Sequence, residues 1–378
     1  MADKKRILIV SFSDIKRDPR VFRQVKHLAF KHDVTTLGFG GSEIDGVKFI
    51  PIREIGASPL KKVRRAAYLK TKDYAKYYEA TFDAEAVREN LREEHFDLVI
   101  ANDSDSLPLV FSWEHGAPVL HDAHEYAPRQ IEDRWWWRFL MQEYTEWICT
   151  TYLKRCKAVT TVSEGIAREY SMKFGVLPTV ITNAPDYVDI RPSPVEEGKV
   201  RMVHTGNANP SRRIEKYLEL MAHLDERFTL DLYLMPRDRA YLKRIRHLAE
   251  STKGVRVLDP VSMKELIPTC NRYDVGVFFQ EPLNFNLEHS LPNKFFEFVQ
   301  ARLAVAITPL PEMKATVRSY DLGLVAPDFE VESMASLLSG LDKAQLEHFK
   351  SQAEKAAHPL SSEVNMRLLD TLVEELIR

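Results

Sequence analysis

The 378-residue chain carries three cysteines, Cys149, Cys156 and Cys270. An odd count without metal-ligand spacing excludes a disulfide framework and fits reduced structural thiols in a cytosolic protein. Cys149 and Cys156 stand two helical turns apart, a spacing read as coincidence on one buried face. Excess charge of either sign is also missing: 53 Lys and Arg against 55 Asp and Glu leave a net charge of -2. No global field therefore draws the chain to nucleic acid or to an acidic surface. No stretch approaches the ~20 apolar residues of a membrane span. The basic start, Lys4-Lys5-Arg6, is followed by an apolar run (Ile7 to Phe12) too short for a signal peptide. The expectation is a cytoplasmic protein, neither exported by that route nor membrane-spanning. The first strand-to-helix turn, Ser13-Asp14-Ile15-Lys16-Arg17-Asp18, has no glycine, which argues against a G-x-G-x-x-G dinucleotide site.

What is present reads as a large soluble α/β protein. The composition is 44% hydrophobic and 29% charged, and the length calls for two domains. Arg6 to Phe12 is a continuous apolar run, the mark of a strand buried on both faces. Asp18-Pro19-Arg20 then opens an amphipathic helix with Val21, Val25, Leu28 and Ala29 on one side, and Asp33 to Gly38 is the next strand. This β-α-β alternation predicts a parallel, doubly wound sheet. Further strands fall within Phe96–Asp103, Pro118–Tyr126, Ala158–Ser163 and Thr179–Pro185, with Ser163 placed to cap the helix after it. The proline-rich polar stretch Arg191 to Gly198 predicts a domain boundary. Beyond it the alternation restarts at Val200–Gly206 and continues through Thr229–Leu234, Val255–Leu258, Asp274–Phe279 and Ala304–Thr308. The domains expected are 1–190, 199–360 and a C-terminal helix in 361–378 that packs back towards the first. Ligands in such sheets sit beyond the carboxyl ends of the strands. Asn102, Asp103, His121, Asp122, His124 and Glu125 thus point at a common cleft.

The most informative stretch is Ser290-Leu291-Pro292-Asn293-Lys294-Phe295-Phe296-Glu297-Phe298. Pro292 suits a first helical turn, and Lys294 and Glu297 share one face. A helix start with a lysine makes a diphosphate site, and the carboxylate one turn on can take the paired hydroxyls of a ribose. The plain alternative is an ordinary amphipathic helix with a surface ion pair. Gly206 ends a strand, and Arg212, Arg213 and Lys216 follow near the start of the next helix, so a diphosphate site without a P-loop is assembled.

These features, taken together and in order, resemble the GT-B glycosyltransferases of the retaining family 4 branch over most of the chain. The matching stretches are Asp18-Pro19-Arg20-Val21-Phe22, His121-Asp122-Ala123-His124-Glu125, Val162-Ser163-Glu164-Gly165, Asn183-Ala184-Pro185, His204-Thr205-Gly206-Asn207 with Arg212, and Ser290 to Phe298. The resemblance implies an α/β fold of two doubly wound Rossmann-like domains facing a central cleft. It implies a retaining enzyme that moves a sugar from a nucleotide-diphosphate sugar (a UDP- or GDP-sugar) to a glycan or lipid-linked acceptor, in surface polysaccharide or glycolipid biosynthesis. The donor-binding residues implied are Gly206, Arg212, Arg213, His289, Ser290, Lys294 and Glu297. Arg212 and Lys294 hold the diphosphate, Glu297 the ribose, and His124 sits at the reaction centre. Asp18, Arg20, Asp103, His121, Asp122 and Glu125 line the acceptor side. No metal or other cofactor and no dedicated general base are expected. One departure stands out: the family's usual signature has a glutamate where this chain has His289, with Glu288 beside it.

Other readings accompany this one. Asp103-Ser104-Asp105 is a D-x-D triplet of the kind that chelates a metal in another glycosyltransferase fold, but it ends a strand away from the basic residues. A nucleotide-sugar 2-epimerase shares the fold, and a degenerate scaffold subunit is the non-enzyme alternative. Leu60 to Tyr78 reads as one basic helix interleaved with aromatics, either a solvated structural helix or a contact for an anionic membrane on the inner face. Asp133 to Lys157 reads as one long helix. Its Trp135, Trp136 and Trp137 cannot all face a core, so two are expected to pack inside and at least one to be exposed to solvent, lipid or a partner.

Overall fold

The structure, a computed structural model, describes residues 4–56, 58–113 and 116–378. It divides into two compact units. The first comprises Met1–Thr182, Asn284–Asn286 and Met366–Arg378; the second comprises Asn183–Leu283 and Leu287–Asn365. The division falls at Thr182–Asn183, ahead of the proline-rich stretch, which lies in the second unit.

The first unit holds a seven-stranded parallel sheet: β1 (Arg6–Asp14), β2 (Asp33–Gly40), β3 (Lys48–Pro51), β4 (Leu98–Asn102), β5 (Val119–Ala123), β6 (Ala158–Thr161) and β7 (Thr179–Val180), in the order 3-2-1-4-5-6-7. Ile7 to Val10, Val99, Ile100 and Leu120 are wholly buried, as strands covered by helices on both faces must be. The C-terminal helix Ser362–Leu376 buries Leu369 and Val373 against Ile7, Ile9, Val21 and Val25. Its Asp370 pairs with His27 at 2.8 Å and Lys31 at 2.6 Å.

The second unit repeats the plan with β8 (Val200–Asn207), β9 (Phe228–Met235), β10 (Val255–Leu258), β11 (Val275–Phe278), β12 (Ala304–Ile307) and β13 (Gly323–Val325), in the order 10-9-8-11-12-13. Every paired strand is parallel. A Cβ on Gly276 of β11 would stand 2.4 Å from the Phe298 ring. Glycine there lets the helix Asn293–Gln300 close onto the sheet, with Phe295, Phe296 and Phe298 fully buried.

Several local expectations are corrected. The basic stretch forms two helices, Pro59–Lys70 and Tyr74–Thr81, because Lys72 takes a left-handed φ of 58° and Asp73 caps the second by accepting from Lys76 N. The long helix is likewise split into Trp135–Leu140 and Gln142–Tyr152. Only Trp137 is buried, at 4% exposure, whereas Trp135 is 69% and Trp136 39% exposed. A six-residue helix turns one side to the core, and Trp137 alone lies on it. Ser163 occupies the N-cap position of the helix Glu164–Phe174, but its hydroxyl makes no capping bond. Strands β3 and β13, four and three residues long, carry too little pattern to be read from sequence. Nor does the sequence show that Asn284–Asn286 returns to the first unit. There Asn286 Oδ1 accepts from Tyr126 N at 2.7 Å, its Nδ2 donates to Tyr126 O at 3.1 Å, and Phe285 lies under the Arg129 guanidinium at 4.7 Å.

Candidate functional site

The first unit gathers a polar cluster at the carboxyl ends of β4, β5 and β6. Neighbouring strand residues face opposite ways, so Asp122 and His121 of β5 part company. Asp122 meets the helix Pro19–Lys31, whose start is capped by Asp18 Oδ1 accepting from Arg20 N and Val21 N, both at 3.2 Å. Arg20 Nε and Nη2 grip the Asp122 carboxylate at 2.9 and 2.6 Å, and Arg20 Nη1 donates to Ile181 O at 2.8 Å. Thr160 Oγ1 donates to Asp122 at 2.7 Å and Gln24 Nε2 at 3.4 Å. Burial would push this carboxyl up, yet Arg20 and His124 hold it well below the usual carboxylate range.

His124 continues the cluster with its side chain 18% exposed. Its Nε2 lies 3.1 Å from Asn102 Oδ1 and 3.6 Å from Asp122 Oδ2; its Nδ1 lies 3.3 Å from Asp103 Oδ2. Burial opposes a charge on the ring, but Asp103 and Asp122 outweigh it and raise its pKa to about 9. Asp103 itself has φ 59° and ψ 156°, a region almost reserved for glycine that costs on the order of 1–3 kcal/mol. Its N–H to Asp122 O (2.9 Å), its carbonyl accepting from the Ser106 hydroxyl (2.7 Å) and its carboxylate accepting from His124 N (3.2 Å) hold it there.

Of the residues expected in this cleft, Arg20, Asn102, Asp103, Asp122 and His124 come together. His121 does not: it is wholly buried on the opposite face of β5, with Nδ1 against Ala101 O at 3.0 Å, and burial lowers its pKa. Asp18 serves as a helix cap. Glu125 is exposed, and its backbone carbonyl accepts from the Tyr170 hydroxyl at 2.9 Å. Gln24 escaped the sequence reading, although it stands one turn after Arg20 on the same helix face.

In the second unit a pocket of about 280 Å³ opens at the carboxyl ends of β8 and β11. Gly206 and Asn207 end β8, Phe278 ends β11 with Phe279 and Gln280 following it, and Pro292, Asn293 and Lys294 bring the start of a helix to the wall. Arg212 forms another side, its Nη1 donating to Gln280 Oε1 at 2.9 Å. Gln280 is fixed by its backbone, since N donates to Thr308 Oγ1 at 3.0 Å and O accepts from it at 2.7 Å. A Cβ at Gly206 would stand 2.9 Å from His204 Nε2 and 3.4 Å from Lys294 Cε, so any side chain there would fill the pocket floor.

Two cations and one neutral imidazole set the electrostatics. His204 donates from Nδ1 to Val277 O at 3.1 Å, which leaves Nε2 as an acceptor. Burial, with Lys294 and Arg212 nearby, lowers its pKa to about 3, so it is uncharged near neutrality. Burial also lowers the Lys294 pKa, Glu297 draws it back up, and Arg212 lowers it further. Glu297 is buried at 6% exposure one turn beyond the pocket wall. A partly buried Lys294 and an exposed Arg212 beside a helix start suit a polyanion.

The other expected donor residues divide. Arg213, at a left-handed φ of 45°, turns away and pairs with Glu281 at 2.7 Å; Lys216 pairs with the same carboxylate at 2.7 Å and donates to Phe329 O at 2.9 Å. Ser290 Oγ donates to Leu287 O at 2.9 Å. His289 Nδ1 lies 3.3 Å from Glu312 Oε1, in the first turn of the helix Pro311–Tyr320. His204, Tyr217 and Gln280 were not singled out from sequence as ligand residues. His204 near the end of β8 and Gln280 just beyond β11 had that position as their only signal, whereas Tyr217 lies in the helix Glu215–Ala222.

Residues 20–190 match the sequence pattern of Glycosyltransferase Family 4. No curated protein matches the sequence significantly. The fold is similar to sucrose-phosphate synthase from Thermosynechococcus elongatus, with TM-score 0.71 and 13% identity over 99% of both chains. It is similar to Anabaena HepE in complex with UDP-glucose, with TM-score 0.68 and 14% identity over 98% of this chain and 100% of that one. A S. aureus TarM mutant in complex with fondaparinux, alpha-GlcNAc-glycerol and UDP gives TM-score 0.58 and 15% identity; 75% of this chain spans 57% of that longer one. The chain has the GT-B fold, and its residues 20–190 are similar to Glycosyltransferase Family 4.

Proposed function

We propose that the protein is a retaining glycosyltransferase whose second unit binds a nucleotide-diphosphate sugar. The observation that carries this reading is the pocket at Gly206, where Arg212 and Lys294 stand at a helix start beside a neutral His204. In the reaction the bond from the sugar's anomeric carbon to the diphosphate breaks, and an acceptor oxygen bonds that carbon on the same face. The acceptor's proton passes to the leaving phosphate oxygen. Arg212 and Lys294 stabilise the charge developing on that diphosphate, an effect on the order of several kcal/mol once bound substrate excludes water. HepE binds UDP-glucose and TarM binds UDP, which makes a UDP-sugar the first donor to try.

The acceptor proposed is a glycan or lipid-linked sugar presented at an anionic membrane surface, as in surface polysaccharide or glycolipid biosynthesis. The helix Pro59–Lys70 has no buried residue. Leu60 is 80% and Val63 67% exposed beside Lys61, Lys62 and Arg64, while Trp135, Trp136, Phe139 and Leu140 are exposed beside Arg134 and Arg138. Tyr77 Oη, in the helix after Pro59–Lys70, lies 3.7 Å from the Sδ of Met141, the residue after Trp135–Leu140. Exposed aromatics among cations suit a membrane interface. Arg65 is not part of this surface, because its Nε donates to Ala80 O at 2.9 Å.

Thermal unfolding with UDP, GDP, ADP, CMP and dTDP tests the donor site, on wild type and on Lys294→Ala and Glu297→Ala. A ligand at 100 times its Kd stabilises by about 2.7 kcal/mol. One nucleotide should shift the wild type and neither variant. No shift with any nucleotide refutes the reading in favour of a scaffold subunit, and hydrolysis without an acceptor points to a 2-epimerase. Sedimentation with anionic liposomes tests the surface: replacing Lys61, Lys62 and Arg64 by Gln should abolish binding, and unchanged binding removes the membrane from the proposal.

A further inference from the structure

The polar cluster of the first unit fixes more than the position of His124. Asp122 can only accept hydrogen bonds, so the Gln24 amide beside it must present Nε2, at 3.4 Å. Gln24 Oε1 is thereby turned to Asn102, whose Nδ2 donates to it at 3.0 Å. Asn102 Oδ1 is then the atom left for His124, 3.1 Å from Nε2. An amide oxygen offers no proton, so His124 Nε2 must carry one. On the other side of the ring, Nδ1 faces the Asp103 carboxylate at 3.3 Å. A histidine with both nitrogens facing acceptors is satisfied only as imidazolium.

We infer that the relay Asp122–Gln24–Asn102 locks His124 in its doubly protonated form, with Gln24 and Asn102 as positioning residues that act through it. The inference rests on the functional reading above for its consequence: His124 offers positive charge to the reacting sugar and cannot accept the acceptor's proton, so that proton must leave on the phosphate oxygen. Gln24 and Asn102 are 4% and 0% exposed, too buried to rearrange freely with solvent. The charged and titratable groups around the ring are Asp103, Asp122, Arg20, His121 and Glu125. Asp103 and Asp122 favour the cation, while Arg20 opposes it.

The test is nitrogen-15 NMR of the histidine side chains in the full chain, with His124→Gln used to assign the resonances. At pH 7.5 both His124 ring nitrogens should report as protonated, with loss of the second proton near pH 9. Gln24→Leu frees the Asn102 amide to turn, and the midpoint should drop towards the ordinary value of about 6.5. Asn102→Asp keeps the acceptor and adds charge, and should raise the midpoint. Circular dichroism checks that each variant is folded. A neutral His124 at pH 7.5 in the native chain overturns the inference, as does a folded Gln24→Leu variant with an unmoved midpoint. None of these readouts needs substrate, so failure of the relay leaves the nucleotide reading standing, and failure of that reading leaves the relay standing.

Discussion

Replacing Asp122 probes the polar core of the first unit most directly. Its side chain is 4% and that of Arg20 8% exposed, so the pair sits where an unpartnered charge costs most. Removing one member of such a pair typically costs about 3–5 kcal/mol. Asp122→Asn keeps the shape but turns one amide N–H towards donors, while Arg20 retains Ile181 O at 2.8 Å and Thr182 O at 3.4 Å. The expected loss is therefore at the lower end, about 3 kcal/mol, and Asp122→Ala should approach 5. Arg20→Met should cost less than Asp122→Ala, because Thr160, Gln24 and the charged His124 still face the carboxylate. All five tryptophans, at 113, 135, 136, 137 and 147, lie in the first unit, so tryptophan fluorescence during urea unfolding reports that unit. With a slope of about 1–3 kcal/mol per molar urea, a 3 kcal/mol loss moves the midpoint by roughly 1–3 M. A change within the ±0.5 kcal/mol typical of surface substitutions, or Arg20 and Asp122 losses that simply add in the double variant, would refute the reasoning.

Two opposite pH dependences should appear in the first unit. Asp122 has a depressed folded pKa, so its contribution is present above about pH 3.9 and is lost as pH falls through the folded value. His124 has a raised one, about 9, so its contribution, about 3 kcal/mol, is full below about pH 6.5 and gone once pH has risen through 9. Urea midpoints between pH 6 and 10 should show that loss in wild type but not in His124→Gln. Gly206→Ala should weaken nucleotide binding at least tenfold by calorimetric titration, because its Cβ would meet His204 and Lys294. Gly276→Ala should lower Tm by an amount equivalent to about 1–3 kcal/mol in far-UV circular dichroism, because the buried Phe298 ring cannot withdraw.

Where hydrophobic pattern alone decides structure, the reading from sequence held closely. Val255–Leu258 matches β10 residue for residue, and Asp274–Phe279 and Ala304–Thr308 contain β11 and β12. A parallel strand covered on both faces must be continuously apolar, and this imprint is local. The two basic or aromatic helices were each read as one because periodicity does not reveal where a chain turns. That break at Lys72 is a left-handed residue followed by a cap.

The pocket of the second unit was legible at Gly206, Arg212 and Lys294, whose residue types suit the proposed diphosphate. Arg213 and Lys216 looked equivalent in sequence, yet Glu281, about 65 residues on, holds both. Charge type is local information; the identity of a counter-ion is not. His121 and Asp122 differ only in which face of β5 they occupy, and the partners at Gln24, Thr160 and Arg20 that fix Asp122 come from other elements. The sequence by itself determined the alternation of strands and helices and the stock of cations, because both depend on neighbours along the chain. Tertiary structure decided which cation stays in the pocket, which histidine is charged, and which tryptophans face out, because each depends on acceptors and apolar surface brought from distant segments.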